Sequence, residues 1–189
     1  MPGSCWENFK SMNQGDEKRI DRTHLLESVK TAHAEAPDFL SRNALGRLNA
    51  AFDRVKRYCA SCTPETVCFV HGDFHHGNIL AHNDRITGFI DLDWCRVGSP
   101  YEDFAFTLMM LLRDYKNWSP EFRWPMYREM LGAYDFQGNT ALLNDFIILY
   151  ALFDCGVLKH AQFVNAQAFF EYQKRYLEKA CTAMLAEGF

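Results

Sequence analysis

Asp73, Asn78 and Asp91 are the side chains on which chemistry can be built. They fall within residues 67–93, VCFVHGDFHHGNILAHNDRITGFIDLD, the stretch densest in reactive and metal-capable groups. A hydroxyl nucleophile needs an acceptor for its proton, and a carboxylate at the centre of a loop can serve. Mg²⁺ takes hard oxygen ligands, such as a carboxylate and an amide oxygen. Asp73 would orient a hydroxyl, while Asn78 and Asp91 would hold a metal ion between phosphate oxygens. Gly72 and Gly77 allow loop angles that a Cβ disfavours.

The neighbouring residues predict how these groups are positioned. Val67 to Val70 is a short apolar run that leads into the polar loop His71 to Asn78. Ile79 and Leu80 follow, then a turn signal at Asn83-Asp84, then Ile86 to Ile90, which ends on Asp91. The pattern is strand, loop, strand, turn, strand, with acids at strand ends. The hairpin would fold Asp91 back beside Asn78. An acid that ends an apolar strand is costly without a partner, and a metal ion supplies one.

The spacing D-x-x-x-x-N is also that of the protein-kinase catalytic loop, where a second metal-binding Asp follows on a later turn. His71-Gly72-Asp73-Phe74-His75-His76-Gly77-Asn78, with Gly88-Phe89-Ile90-Asp91, resembles the aminoglycoside phosphotransferase and choline kinase family. Tyr101-Glu102-Asp103-Phe104-Ala105 resembles the D-[LIF]-A segment that follows in that family. The likeness is sharpest over residues 67–105. It implies a protein-kinase-like fold, ATP as phosphate donor, Mg²⁺, and a small hydroxylated substrate. It further implies Asp73 as catalytic base and Asn78 and Asp91 as metal ligands. His71 and His75 would fix the loop, and Asp103 would hold the loop backbone, unless it only caps its helix. His76 is a substrate-side candidate. Asp93 is open between a second metal, the substrate and a solvated loop. Glu121, Asp145 and Asp154 lie where family members set acids against substrate amino groups, and the sequence does not choose among them. Trp6, Trp94, Trp118 and Trp124 suit either packing or the walls of a cationic pocket.

Composition sets the outer limits. The 189 residues suffice for one domain with a real core. Hydrophobic content of 48% and charged content of 23% are those of a globular chain. The net charge of −4, with no basic run, argues against nucleic acid and is compatible with a cationic substrate. Seven cysteines, scattered through apolar segments, favour reduced thiols and a cytoplasmic setting. Cys59-Ala-Ser-Cys62 reads as a helix end. No apolar run approaches the ~20 residues of a bilayer span, and the first ten residues lack a signal-peptide pattern.

Periodicity predicts helices elsewhere. Thr23 would cap one reaching about Ala34. Ser41 or Asn43 would open a second, with Leu45, Leu48, Phe52, Val55 and Cys59 along one face. Tyr101 to Arg113 is strongly apolar, with Phe104, Leu108, Leu111 and Leu112 inward. Pro125 would begin or kink a short helix to about Tyr134. Asn139-Thr140 would start a long one to about His160, buried on most sides, and a last helix would cover about Asn165 to Leu185. The fold class is α+β and mainly helical, the C-terminal lobe of a kinase-like fold with a small β-hairpin. The expectation is a single domain, 1–189: a hinge-like segment 1–19 (Met1-Pro2-Gly3 resembles the family's interlobe hinge), packing helices 20–62, the catalytic hairpin 67–93 and a helical subdomain 101–189. Residues 1–189 contain no G-x-G-x-x-G, so the ATP-gripping N-terminal lobe is expected to be absent.

Three functions compete. The first is an ATP-dependent small-molecule kinase. The second is a truncated, weakly active or inactive lobe that binds ligand without turnover and self-associates through the face a missing lobe would leave. The third is a metallophosphoesterase, which would need further metal-binding segments that the chain does not show.

Overall fold

The computed structural model describes residues 23–63, 66–113, 119–121 and 123–186. The hinge-like segment 1–19, Trp6 and Trp118 lie outside the described residues. The fold is mostly helical, with two small antiparallel sheets.

The helices form where the apolar spacing and the caps agree. Helix α1 (His24–Glu35) starts after Thr23, whose side chain makes no capping bond. Helix α2 (Arg42–Ser61) starts at Ser41, whose Oγ accepts from the Ala44 N–H at 3.3 Å. It ends at Cys62, so the Cys59/Cys62 pair does mark a helix end, and both cysteines are buried and in no disulfide. Helix α3 (Tyr101–Leu112) precedes α4 (Trp124–Ala133), which carries Pro125 in its first turn. Helix α5 (Thr140–Lys159) is capped by Asn139, whose Oδ1 accepts from Leu142 N–H at 3.0 Å. Helix α6 (Ala166–Ala186) closes the order.

Helix α5 is the centre. Helices α1, α2, α3 and α6 all pack on it, because Leu143, Phe146, Ile147, Ile148, Leu149 and Leu152 cover its circumference and are fully buried. Its length and hydropathy alone reach those of a membrane span, a correction to the expectation that no run does. Most of it is buried inside the protein, as a core helix is. Asp145 on this helix is 0% exposed and sits between two guanidinium groups of α2. Arg47 Nη1 donates to it at 2.7 Å, and Arg54 Nε and Nη2 donate at 2.6 and 2.7 Å. The charges staple α2 to α5, and Asp145 is a structural acid.

The strands differ from the expected three. Strand β1 (Cys68–Val70) pairs with a fourth strand, β4 (Arg96–Gly98), with Phe69 opposite Val97. Strand β2 (Ile79–His82) pairs separately with β3 (Arg85–Phe89). Their turn, Asn83 and Asp84, has φ of 48° and 58°, the left-handed pair of a tight hairpin. This second hairpin is largely solvent-exposed: Leu80, Ile86, Phe89, Ile90, Leu92 and Trp94 all stand in water.

Candidate active site

The loop His71–Asn78 leaves β1 and is held from three sides. The Asp103 carboxylate, in the first turn of α3, accepts from the His71 N–H at 2.7 Å and from the Gly72 N–H at 2.9 Å. Thr107 Oγ1 donates to the Phe74 carbonyl at 2.6 Å. The His71 ring spans the loop: Nδ1 accepts from the Asp73 N–H at 3.4 Å, and Nε2 donates to the Ile90 carbonyl at 3.0 Å. One neutral tautomer satisfies both bonds, and it ties the loop to the end of β3.

Two glycines have different reasons. Gly72 has φ +84°, and a Cβ there would stand 2.5 Å from the Trp94 carbonyl. Gly77 does not have a positive φ, contrary to the sequence expectation. A Cβ there would strike the His75 ring at 2.8 Å. His75 accepts from Gly77 N–H at 3.0 Å, and its Nε2 lies 3.5 Å from Asp73 Oδ2.

Asn78 is 7% exposed and meets Asp73 directly. Its Nδ2 donates to the Asp73 carbonyl at 2.9 Å and to Asp73 Oδ2 at 3.0 Å. Amide geometry turns Oδ1 away from those bonds. The Asn78 carbonyl accepts from the Ile90 N–H at 3.0 Å, so the residue before Asp91 is bonded to Asn78. Asp91 itself is exposed, with φ 62°, a conformation uncommon for a residue with a Cβ. The burial assumed for this acid is not there: the hairpin meets water, and no desolvation penalty demands a partner. Asp93 and His76 are also exposed. His76 touches the His75 ring, with centroids 5.8 Å apart, and Asp93 begins the turn before Trp94.

Asp73 lines a cavity of about 370 Å³. Its walls are aromatic: Trp94, Phe106, Tyr150 and Phe153, with His24 and Leu25 of α1 opposite. Arg96 also lines it and pairs with Glu102, whose Oε1 accepts from Ser99 N–H at 2.8 Å. Burial alone would lower the Arg96 pKa, but the Glu102 charge and hydrogen bond, with Tyr150 and Asp103, together outweigh it and raise the value. Burial, with Glu102 adding to it, raises the Tyr150 phenol well above its ordinary value. Sequence reasoning missed Arg96, Glu102, Tyr150 and Thr107. Their roles come from long-range packing, and no local pattern marks them.

The remaining acids are engaged elsewhere. Asp154 pairs with Arg113, and Glu121 with Lys179 at 2.9 Å. Trp124 packs on Tyr127. Among the described residues, no group of three or more His, Cys, Asp or Glu side chains could hold a metal ion. A two-metal phosphoesterase centre requires such groups.

A mainly helical body thus carries a loop whose Asp73 lines a pocket, and comparison with known proteins supplies the family. The chain belongs to the phosphotransferase enzyme family (APH), whose profile matches residues 11–143. It is 33% identical over 51 residues to an aminoglycoside 3'-phosphotransferase of Niallia circulans. That stretch is 27% of this chain and 20% of the relative, so the match spans about a fifth of the relative's length. No solved structure matches the chain.

Proposed function

We propose that the chain transfers the γ-phosphate of ATP to a hydroxyl of a small molecule held in the cavity beside Asp73. The observation that carries this reading is the Asp73–Asn78 contact, with Ile90 bonded to Asn78. It sets Asn78 against Asp73, which lines the pocket, and bonds the residue before Asp91 to Asn78, and this supports the reading. The substrate O–H proton passes to the Asp73 carboxylate, the new O–P bond forms, and the bond from the γ-phosphorus to the bridging oxygen breaks as ADP leaves.

The donor set fits Mg²⁺, which takes one or two protein oxygens and fills its shell from phosphate and water. Asn78 Oδ1 and the Asp91 carboxylate would hold it. When bound, it would offset the negative charge of the phosphates. The buried Asn78 amide keeps Asp73 oriented, and Asp103 fixes the loop backbone behind both.

A second reading is a lobe that binds ligand without turnover. What favours it is that residues 1–189 contain no glycine-rich phosphate loop. Calorimetric titration with Mg-ATP, paired with ADP release across a panel of alcohols, separates the two. Micromolar nucleotide binding and alcohol-dependent ADP release support phosphoryl transfer. Ligand binding with neither signal supports the silent lobe.

A further inference from the structure

The two carboxylate oxygens of Asp73 have different surroundings. Oδ2 accepts from Asn78 Nδ2 at 3.0 Å and lies 3.5 Å from His75 Nε2. Oδ1 has no hydrogen bond among the described residues, and the side chain is 30% exposed in a residue that lines the cavity. A carboxylate held by one oxygen presents the other in a fixed direction, which is what a base facing a bound hydroxyl needs.

Which His75 nitrogen carries the proton follows from its other partner. Nδ1 accepts from the Gly77 N–H at 3.0 Å, so its lone pair is in use and the proton of the neutral ring is on Nε2, the nitrogen near Asp73. At 3.5 Å that approach is longer than a good N–H···O bond, and catalytic bonds are often long until substrate binds. The ring is seated firmly. It meets the His76 and Phe106 rings edge-on at 5.8 and 6.5 Å between centroids, and a Cβ on Gly77 would stand 2.8 Å from its Cε1. His75 also caps the short turn His76–Asn78. One ring therefore touches both the turn that carries Asn78 and the Asp73 carboxylate.

We propose that His75 is a positioning residue for the base. Its Nε2–H and the Asn78 amide together hold Asp73 Oδ2, and Oδ1 takes the proton of the substrate hydroxyl. This rests on the phosphoryl-transfer reading for what Oδ1 receives, while the His75–Asp73 pairing does not. Two substitutions separate the ring's two contacts. His75→Asn keeps an acceptor for the Gly77 N–H, as asparagine does in such turns, and is too short to reach Asp73. His75→Gln carries an amide N–H about as far out as Nε2 and loses the short turn bond. ADP release from Mg-ATP is measured with kanamycin, choline and 3-phenylpropan-1-ol as acceptors. In H75N kcat should fall about tenfold with KM for ATP within about twofold, and in H75Q kcat should recover. A ring that only builds the turn gives the opposite order, and that order, or equal rates in the two variants, overturns the proposal. Nitrogen-15 NMR of the imidazole reads the pairing without turnover. Nε2 should carry the proton, and its resonance should move in Asp73→Asn. A proton on Nδ1, or a resonance indifferent to D73N, would overturn the pairing. If no acceptor releases ADP with the wild type, the phosphoryl-transfer reading falls and the spectrum alone decides the role of His75.

Discussion

Replacing Asp91 with glycine separates what this residue does for the fold from what it does for the reaction. Its φ of 62° costs an L-residue on the order of 1 kcal/mol, somewhat less for Asp, and glycine removes that cost. Glycine also enlarges the unfolded ensemble, which costs about 0.5–1 kcal/mol in the other direction. The carboxylate is exposed and has no hydrogen bond or ion pair among the described residues, so no folded-state contact is lost. The terms nearly cancel. Stability should change by less than about 0.5 kcal/mol, a shift of about 2 °C or less in Tm for a chain of this size. Under the proposed reaction, turnover should fall by about two orders of magnitude or more, since one of the two residues proposed to hold the metal is gone. Thermal melting and ADP release, measured over a Mg²⁺ titration, read the two quantities separately. Wild-type turnover in Asp91→Gly would remove Asp91 from the site. A loss of more than about 2 kcal/mol would mean that the strain argument is wrong and the side chain supports the fold.

Asp103→Ala removes the acceptor of two backbone bonds and should cost about 2 kcal/mol, moderated by water entering the loop. Amide exchange at His71 and Gly72 should accelerate, and unchanged protection there would refute the clamp. Asp145→Asn leaves the buried Arg47 uncompensated and should lower stability by about 3 kcal/mol, with Arg54 free to turn to solvent; a Tm within about 2 °C of wild type would contradict this. Burial pushes the Cys59 and Tyr127 pKa values up to about 12, so the folded chain holds these protons more tightly than the unfolded one. That stabilisation is complete below the ordinary thiol value of 9.0 and drains away as pH climbs toward 12, so melting temperature should fall across that window. We also propose that the exposed apolar face of Ile86, Phe89 and Leu92 drives self-association. Light scattering should show a concentration-dependent dimer that Ile86→Lys weakens, and a monomer at all concentrations would refute it.

The helices were legible because each needs only its own periodicity and a cap, as at Ser41 and Asn139. The Asn83-Asp84 turn was legible for the same local reason. Strand β4 was not: three residues centred on Val97 form a strand only because Phe69 lies opposite. The Asp145 staple joins residues far apart in sequence, and nothing near Asp145 signals two arginines. The burial of Asp91 was misjudged because an apolar run says what a strand could be covered by, not whether anything covers it. Within the site, the spacing of Asp73 and Asn78 carried through to contact. The aromatic cavity did not show, because its walls come from elements far apart in the chain.

The β1–β4 ladder has a consequence for how this chain tolerates change. It fastens together the entry and exit of the whole reactive excursion, much as a drawstring closes the neck of a bag. Residues added or trimmed at the Asn83-Asp84 tip therefore alter the far end alone, while the seam at Phe69 and Val97 holds the neck at fixed width. Length variation, tags or reporter insertions belong at that tip.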